Sequence, residues 1–221
     1  SLIKILESQD FKESQMEIPY AVGYDMMGEM VIADVAKFPH LIIGGTTNSG
    51  KSSAIHCLLM SIVYKQPADK VKLLLLDFGS SRLNMFMNVP HMLIPSKIIR
   101  DASEGQQAML LLQEEMEYRL KRLDSVDAKS YDVEYGKIPS IVCVVDEFPA
   151  FIQQSSSGRS SKKVSAIITD LLARARKVKI YLILSAQDAT QGGIEIKNTN
   201  LPAGIAFRCT SWPASRAVIA A

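Results

Sequence analysis

The stretch Gly45-Thr46-Thr47-Asn48-Ser49-Gly50-Lys51-Ser52, followed by Ser53, has the residue types and spacing of a phosphate cradle. It satisfies G-x-x-x-x-G-K-[ST] at every fixed position and follows the apolar run His40-Leu41-Ile42-Ile43. Glycines let backbone amides turn inward onto phosphate oxygens, and the start of the next helix adds positive potential. Lys51 is placed to reach β- and γ-phosphates, and Ser52 to hold Mg²⁺ through its hydroxyl. Gly45, Thr46, Thr47, Asn48, Ser49, Gly50, Lys51, Ser52 and Ser53 are therefore the candidate nucleotide-binding residues.

A second group closes the run Ile141-Val142-Cys143-Val144-Val145-Asp146-Glu147-Phe148. A buried strand ending in two carboxylates brings them to the sheet edge where ligands of open α/β sheets bind. Asp146 is the candidate for the Mg²⁺ shell. Side chains alternate along a strand, so Glu147 is expected to point the other way and to activate a water as general base. A third strand end, Tyr181-Leu182-Ile183-Leu184-Ser185-Ala186-Gln187, offers Ser185 and Gln187 to the γ-phosphate and the attacking water. Arg174 and Arg176 precede that strand and are candidates for reaching a neighbouring subunit's nucleotide; solvated charges at a helix end are the alternative.

Strand-like apolar runs at 40–44, 71–77, 141–146, 179–185 and 204–209 must carry these groups. Each is apolar nearly throughout, as expected of strands buried on both faces of a parallel sheet. Helical patterns at 51–65, 104–123 and 162–177 alternate with them. In the second of these, Met109, Leu112, Met116, Leu120 and Leu123 recur three or four apart. The fold class is α/β, a mostly parallel sheet flanked by helices. Residues 1–38 read as an appendage with a small antiparallel hairpin around Asp25-Met26-Met27-Gly28-Glu29, and 39–221 as the core. The Ser-rich stretch 153–163 is expected to be a mobile loop.

Composition narrows the function. A net charge of +2 does not by itself argue for nucleic acid, so any such site must be a local patch. Cys57, Cys143 and Cys209, and His40, His56 and His91, show no metal-ligand spacing. No apolar run approaches the ~18 residues that cross a bilayer. A start without Met and an end at Ala-Val-Ile-Ala-Ala are expected of a piece of a longer protein. The strand at 71–77 lies in sequence between the phosphate loop's strand and the Asp-Glu strand, which together with Glu147 points to the additional-strand class of ATPases. GTPases offer an N-K-x-D motif, which is missing here, so adenine is favoured.

The ordered set of residues 18–52, 145–152, Leu171–Gln187 and 201–219 resembles the motor domain of the FtsK/SpoIIIE family of DNA translocases. The resemblance implies a RecA-like ATPase that uses ATP and Mg²⁺ and moves double-stranded DNA through a homo-hexameric ring. It implies Lys51, Glu147, Gln187 and Arg176 as catalytic residues, Ser52 and Asp146 as metal contacts, and matches Arg216 to a further family arginine. It places channel loops at 153–163, with Arg159, Lys162 and Lys163, and at 188–200, with Gly192, Gly193 and Lys197. Lysine and arginine there can neutralise phosphates without reading sequence. It also implies a cytoplasmic domain of a protein that can be membrane-anchored.

The chain departs from the family in three places. Asp77-Phe78-Gly79 stands where Asp-Pro-Lys is usual and looks more like the type VII secretion ATPases, which move protein. Asp188-Ala189 replaces an Arg-Pro, and Gly204 replaces an arginine. A protein-secretion motor and a conjugation-type DNA motor are the alternatives within the same core. A nucleotide-binding module with a structural role is a third, opposed by the intact Lys51, Asp146 and Glu147.

Overall fold

The computed structural model describes residues 1–79, 83–155, 160–187, 201–209 and 211–219, with the side chains of 160–163, 217 and 219 outside that description. The N-terminal part starts with two short helices, α1 (Leu2–Leu6) and α2 (Gln9–Glu13), that the polar sequence did not announce. The hairpin β1 (Pro19–Tyr24) and β2 (Met30–Asp34) follows, antiparallel. Asp34 fixes its exit: one carboxylate oxygen accepts from the Ile18 and Ala36 amides, the other from the Glu17 amide.

The core then alternates as the apolar pattern predicts. β3 (His40–Gly44) leads into α3 (Lys51–Lys65), and β4 (Val71–Asp77) is followed by α4 (Ala102–Asp124) and α5 (Tyr131–Lys137). β5 (Ser140–Asp146) leads to α6 (Phe148–Gln154) and α7 (Ser160–Arg174). β6 (Ile180–Ala186), β7 (Ala203–Ala206) and α8 (Trp212–Ile219) complete it. Two expectations are corrected. The stretch 153–163 is not one loop, because α6 runs to Gln154 and α7 starts at Ser160. The α7 apolar face, with Val164, Ile168 and Leu171 fully buried, draws its first turn into the helix. The fifth strand spans 203–206, not 204–209.

The five core strands pair in parallel in the order β4-β5-β6-β3-β7. All seven residues of β5 and of β6 are buried. Alternation splits each strand between two apolar layers. Ile141, Cys143, Val145, Leu182 and Leu184 pack with α4, α6 and α7. Val142, Val144, Tyr181 and Ile183 pack with α3. Each fully buried aliphatic side chain contributes about 2 kcal/mol, so these two-faced strands hold the fold. The hairpin sits on the outer side of α3, where the Ala21 amide donates to Ser61 Oγ at 3.0 Å and Tyr20 packs among Ile55 and Leu58.

Candidate nucleotide site

The two-residue period of the strands decides which side chains meet. Asp77, Asp146 and Ser185 have the parity of Leu75, Val144 and Ile183, which face α3. Asp77 and Asp146 are partners in register. The three therefore line up at the C-terminal tips of β4, β5 and β6, on the face where α3 starts.

α3 starts at the phosphate loop. Gly50 has φ 115°, a left-handed conformation that glycine adopts without a Cβ penalty, and Asn48 has φ 61°. The loop is held from below by the ends of two strands. The Gly45 amide donates to the Ala186 carbonyl at 3.2 Å, and the Thr46 amide and hydroxyl donate to the Arg208 carbonyl at 2.9 and 3.0 Å. The Phe207 ring lies against Gly50.

Asp146 is buried and accepts a hydrogen bond from Ser185 Oγ, which itself accepts from the Glu147 amide at 3.2 Å. Glu147 does not continue the strand as alternation predicts. Its backbone turns left-handed, φ 57° and ψ 56°, and it opens α6. That turn brings its carboxylate to Lys51 Nζ at 2.8 Å, with the two side chains only 14% and 8% exposed. The Gln187 amide donates to both Glu147 oxygens, at 3.1 and 3.2 Å. Thr47 Oγ1 donates to Gln187 Oε1 at 3.3 Å. Lys51, Glu147 and Gln187 are thus one hydrogen-bonded network spanning the loop, β5 and β6, with Thr47 closing it.

A cavity of about 840 Å³ opens over this network, large enough for a nucleotide. Thr46, Thr47, Asn48, Gly50, Lys51, Ser52, Ser53, Asp146 and Gln187 line it as the sequence predicts. Gly45 is buried beneath the loop, and Ser49 turns its hydroxyl into a buried position with no partner among the described residues. His56, Asp77, Gly79, Asn84 and Arg100 also line the cavity and were not foreseen. Residue 79 has to be glycine, because a Cβ there would overlap Asp146 Oδ2 and stand 2.9 Å from Glu147 Cβ.

The donor set fits a Mg²⁺–triphosphate. Among the described residues no three His, Cys, Asp or Glu side chains gather into a metal cage. A hydroxyl from Ser52 and one carboxylate from Asp146 in one cavity are what Mg²⁺ needs when phosphates and waters complete its shell.

The other sequence candidates lie elsewhere. Arg174 is paired within the chain, to Glu117 and Asp170. Arg176 is exposed in the turn before β6, close enough to His40 to disfavour its charge. That is the N-terminal edge of the sheet, roughly 20 Å from the phosphate loop at about 3.3 Å per strand residue. Arg216 is exposed on α8. Arg159, Gly192, Gly193 and Lys197 lie outside the described residues; Lys162 and Lys163 fall in the first turn of α7 without described side chains.

Comparison with known proteins agrees with this geometry. Residues 1–139 match the FtsK/SpoIIIE family. The chain is 31% identical over 230 residues to the DNA translocase FtsK of Borreliella burgdorferi, covering 98% of this chain and 28% of that protein. It is 32% identical to the DNA translocase FtsK of Treponema pallidum, with the same coverages of 98% and 28%. The chain therefore spans less than a third of the length of these relatives. Among solved structures, the pCW3 conjugation coupling protein TcpA, in its monomer form with ATPγS, superposes with a TM-score of 0.68 at 21% identity, over 96% of this chain and 60% of that one. The cytoplasmic domain of the type VII secretion ATPase EccC of Thermomonospora curvata gives 0.69 at 18% identity, over 100% and 27%. These two likenesses speak to the fold.

Proposed function

The chain belongs to the FtsK/SpoIIIE family, and on that premise we propose that it is the ATP-hydrolysing core of a motor that moves double-stranded DNA. The observation that carries the reading is the Lys51–Glu147–Gln187 network, two members of which, Lys51 and Gln187, line the cavity. Lys51 and Glu147 neutralise each other at 2.8 Å. A triphosphate in the loop competes for Lys51, and each phosphate contact that Lys51 makes loosens its hold on Glu147. Glu147 then serves as general base toward a water in line with the γ-phosphate, still oriented by the Gln187 amide. Ser52 and Asp146 would hold Mg²⁺, which would supply neutralisation of charge on the phosphate oxygens. Through Thr47, the Gln187 side chain reports the state of the loop to the segment that follows β6.

The DNA reading is supported by the relatives named as DNA translocases. We assign the basic residues of 153–163 and 188–200, among them Arg159, Lys162, Lys163 and Lys197, to backbone contacts with the duplex. Arg176 cannot serve the nucleotide of its own chain from the opposite sheet edge. We assign it to a neighbour's nucleotide in a ring of six copies, with a solvated charge at a helix end as the alternative. No described helix is long and apolar enough to cross a membrane, and the cytoplasm, where ATP is at hand, is the compartment we assign to this part of the protein.

The test is steady-state ATP hydrolysis by the full-length protein over a range of protein concentrations, with and without long double-stranded DNA. Lys51→Ala is the blank. The expected result is turnover that rises with concentration and with DNA, with the DNA effect falling steeply as salt increases. Turnover that rises with concentration but ignores DNA would contradict the DNA reading and point to a protein cargo.

A further inference from the structure

The cavity has a second cation that the motifs do not contain. Arg100 lies on its wall, and among the described lining residues only Lys51 and Arg100 carry a permanent positive charge. Arg100 is placed by backbone pairing. Ile99 bridges Leu76 in parallel, its amide donating to the Leu75 carbonyl and its carbonyl accepting from the Asp77 amide at 2.8 Å. The segment 98–100 thus acts as an extra strand beside β4. Ile98 packs in the layer under α3 and Ile99 in the opposite layer, so alternation returns Arg100 to the α3 side, with Asp77, Asp146 and Ser185.

Its guanidinium is tethered without being used up. Nη2 donates to Asn84 Oδ1 at 2.6 Å and reaches Asp77 Oδ2 only at 3.5 Å. Nε and Nη1 have no hydrogen-bond partner among the described residues, and the side chain is 47% exposed. Phosphate oxygens are the group that an arginine fork, with donors to spare, matches best.

The strand order says which phosphate. β4 is three strands from β3, roughly 14 Å at about 4.8 Å per strand. The phosphate loop is built on β3, and Asp146 lies between the two. Arg100, beside Asp77, therefore stands on the Asp146 side of the cavity, where the site reading above puts the Mg²⁺ contact and with it the terminal phosphate. We propose that Arg100 contacts the γ-phosphoryl group of the bound triphosphate, and so makes the site tell ATP from ADP within one chain. The inference rests on the nucleotide-site reading above.

The experiment is calorimetric titration of the full-length protein with Mg²⁺ and either β,γ-imido-ATP or ADP. It compares wild type, Arg100→Gln and Arg100→Lys. Losing a charge-assisted hydrogen bond to the terminal phosphate predicts about 10-fold or more weaker analogue binding by Arg100→Gln, with ADP affinity kept within about twofold. Arg100→Lys keeps the charge without the fork and falls between. Retained ADP binding also shows that the variant site is folded. Equal weakening of both ligands, or of neither, overturns the proposal and leaves Arg100 as a clamp between Asp77 and Asn84. Wild-type protein that binds neither ligand overturns the site reading itself, and the role of Arg100 with it.

Discussion

The two ends of the parallel sheet are both polar, and they use polarity in opposite ways. At the N-terminal end the groups around Arg119 and Glu17 are bonded within the protein, while His40 Nε2 has no partner among the described residues. Arg119 is buried, and its guanidinium donates to the Pro139 and Val178 carbonyls at 2.8 and 2.9 Å and to Glu115 at 2.7 Å. Glu17 accepts from Ser140 Oγ at 2.7 Å and from Tyr181 OH at 3.4 Å, with Lys179 Nζ 3.5 Å away. Burial pushes the Tyr181 phenol far above its ordinary range and keeps it a donor. These bonds tie the starts of β5 and β6 to α4 and to the segment entering the hairpin. At the C-terminal end the groups border a cavity. Lys51 and Glu147 occupy each other there, and Arg100 keeps donors without a partner among the described residues. One end is closed to hold the sheet together; the other is open to a phosphate ligand.

Breaking each end should have different consequences. Lys51→Ala removes the charge-assisted contact to phosphate and is expected to weaken ATP binding by roughly a hundredfold or more, as read by titration calorimetry. Arg119→Met keeps the apolar stem but leaves the buried Val178 carbonyl and the partly buried Pro139 carbonyl without Arg119 as donor. It should cost the fold about 3 kcal/mol, seen as a lower urea midpoint at unchanged slope, with nucleotide affinity preserved in the protein that remains folded. A loss of nucleotide affinity in Arg119→Met without loss of stability would erase the distinction between the two ends.

The smallest effect concerns His40, at the closed end. Its Nδ1 accepts from the Leu182 amide at 3.1 Å, so Nε2 carries the proton and has no partner among the described residues. Burial, and secondarily the Arg176 charge, lowers its pKa from 6.5 to about 4. The folded state keeps His40 neutral, whereas the unfolded chain protonates it below its ordinary pKa. Stability is therefore complete above pH 6.5 and falls as pH drops from there toward about 4. Between pH 7 and pH 5 the cost is about 2 kcal/mol. Urea midpoints at pH 7 and pH 5 should fall further apart in wild type than in His40→Gln. Equal differences would remove His40 from the account.

What was legible in the sequence follows from how local the signal is. The loop from Gly45 to Ser53 and the pair Asp146-Glu147 are contiguous, and their chemistry needs only a strand before or a helix after. Ser185 and Asp146 could be paired from strand parity once β5 and β6 are neighbours. The strand between the phosphate loop's strand and the Asp-Glu strand is β4 in sequence but β6 in space, a distinction that only the sheet order makes. Glu147 meets Lys51, but a left-handed turn, not strand alternation, aims it. Arg100, Asn84 and Gly79 carry no motif of their own. They reach the cavity through an extra strand, a 3-10 turn and a close backbone approach, each set by tertiary packing. By composition the segment 153–163 reads as loop, because serines and lysines dominate it, although α6 runs to Gln154 and α7 starts at Ser160, ahead of its buried Val164.

The measurement that tests the central claim most directly is single-turnover hydrolysis of Mg²⁺–ATP by full-length Glu147→Gln, with ATP binding measured on the same protein. If Glu147 is the base that Lys51 holds in reserve, the variant binds ATP at least as tightly as wild type and hydrolyses it slower by about a hundredfold or more. Hydrolysis at the wild-type rate by a variant that still binds ATP would contradict the account.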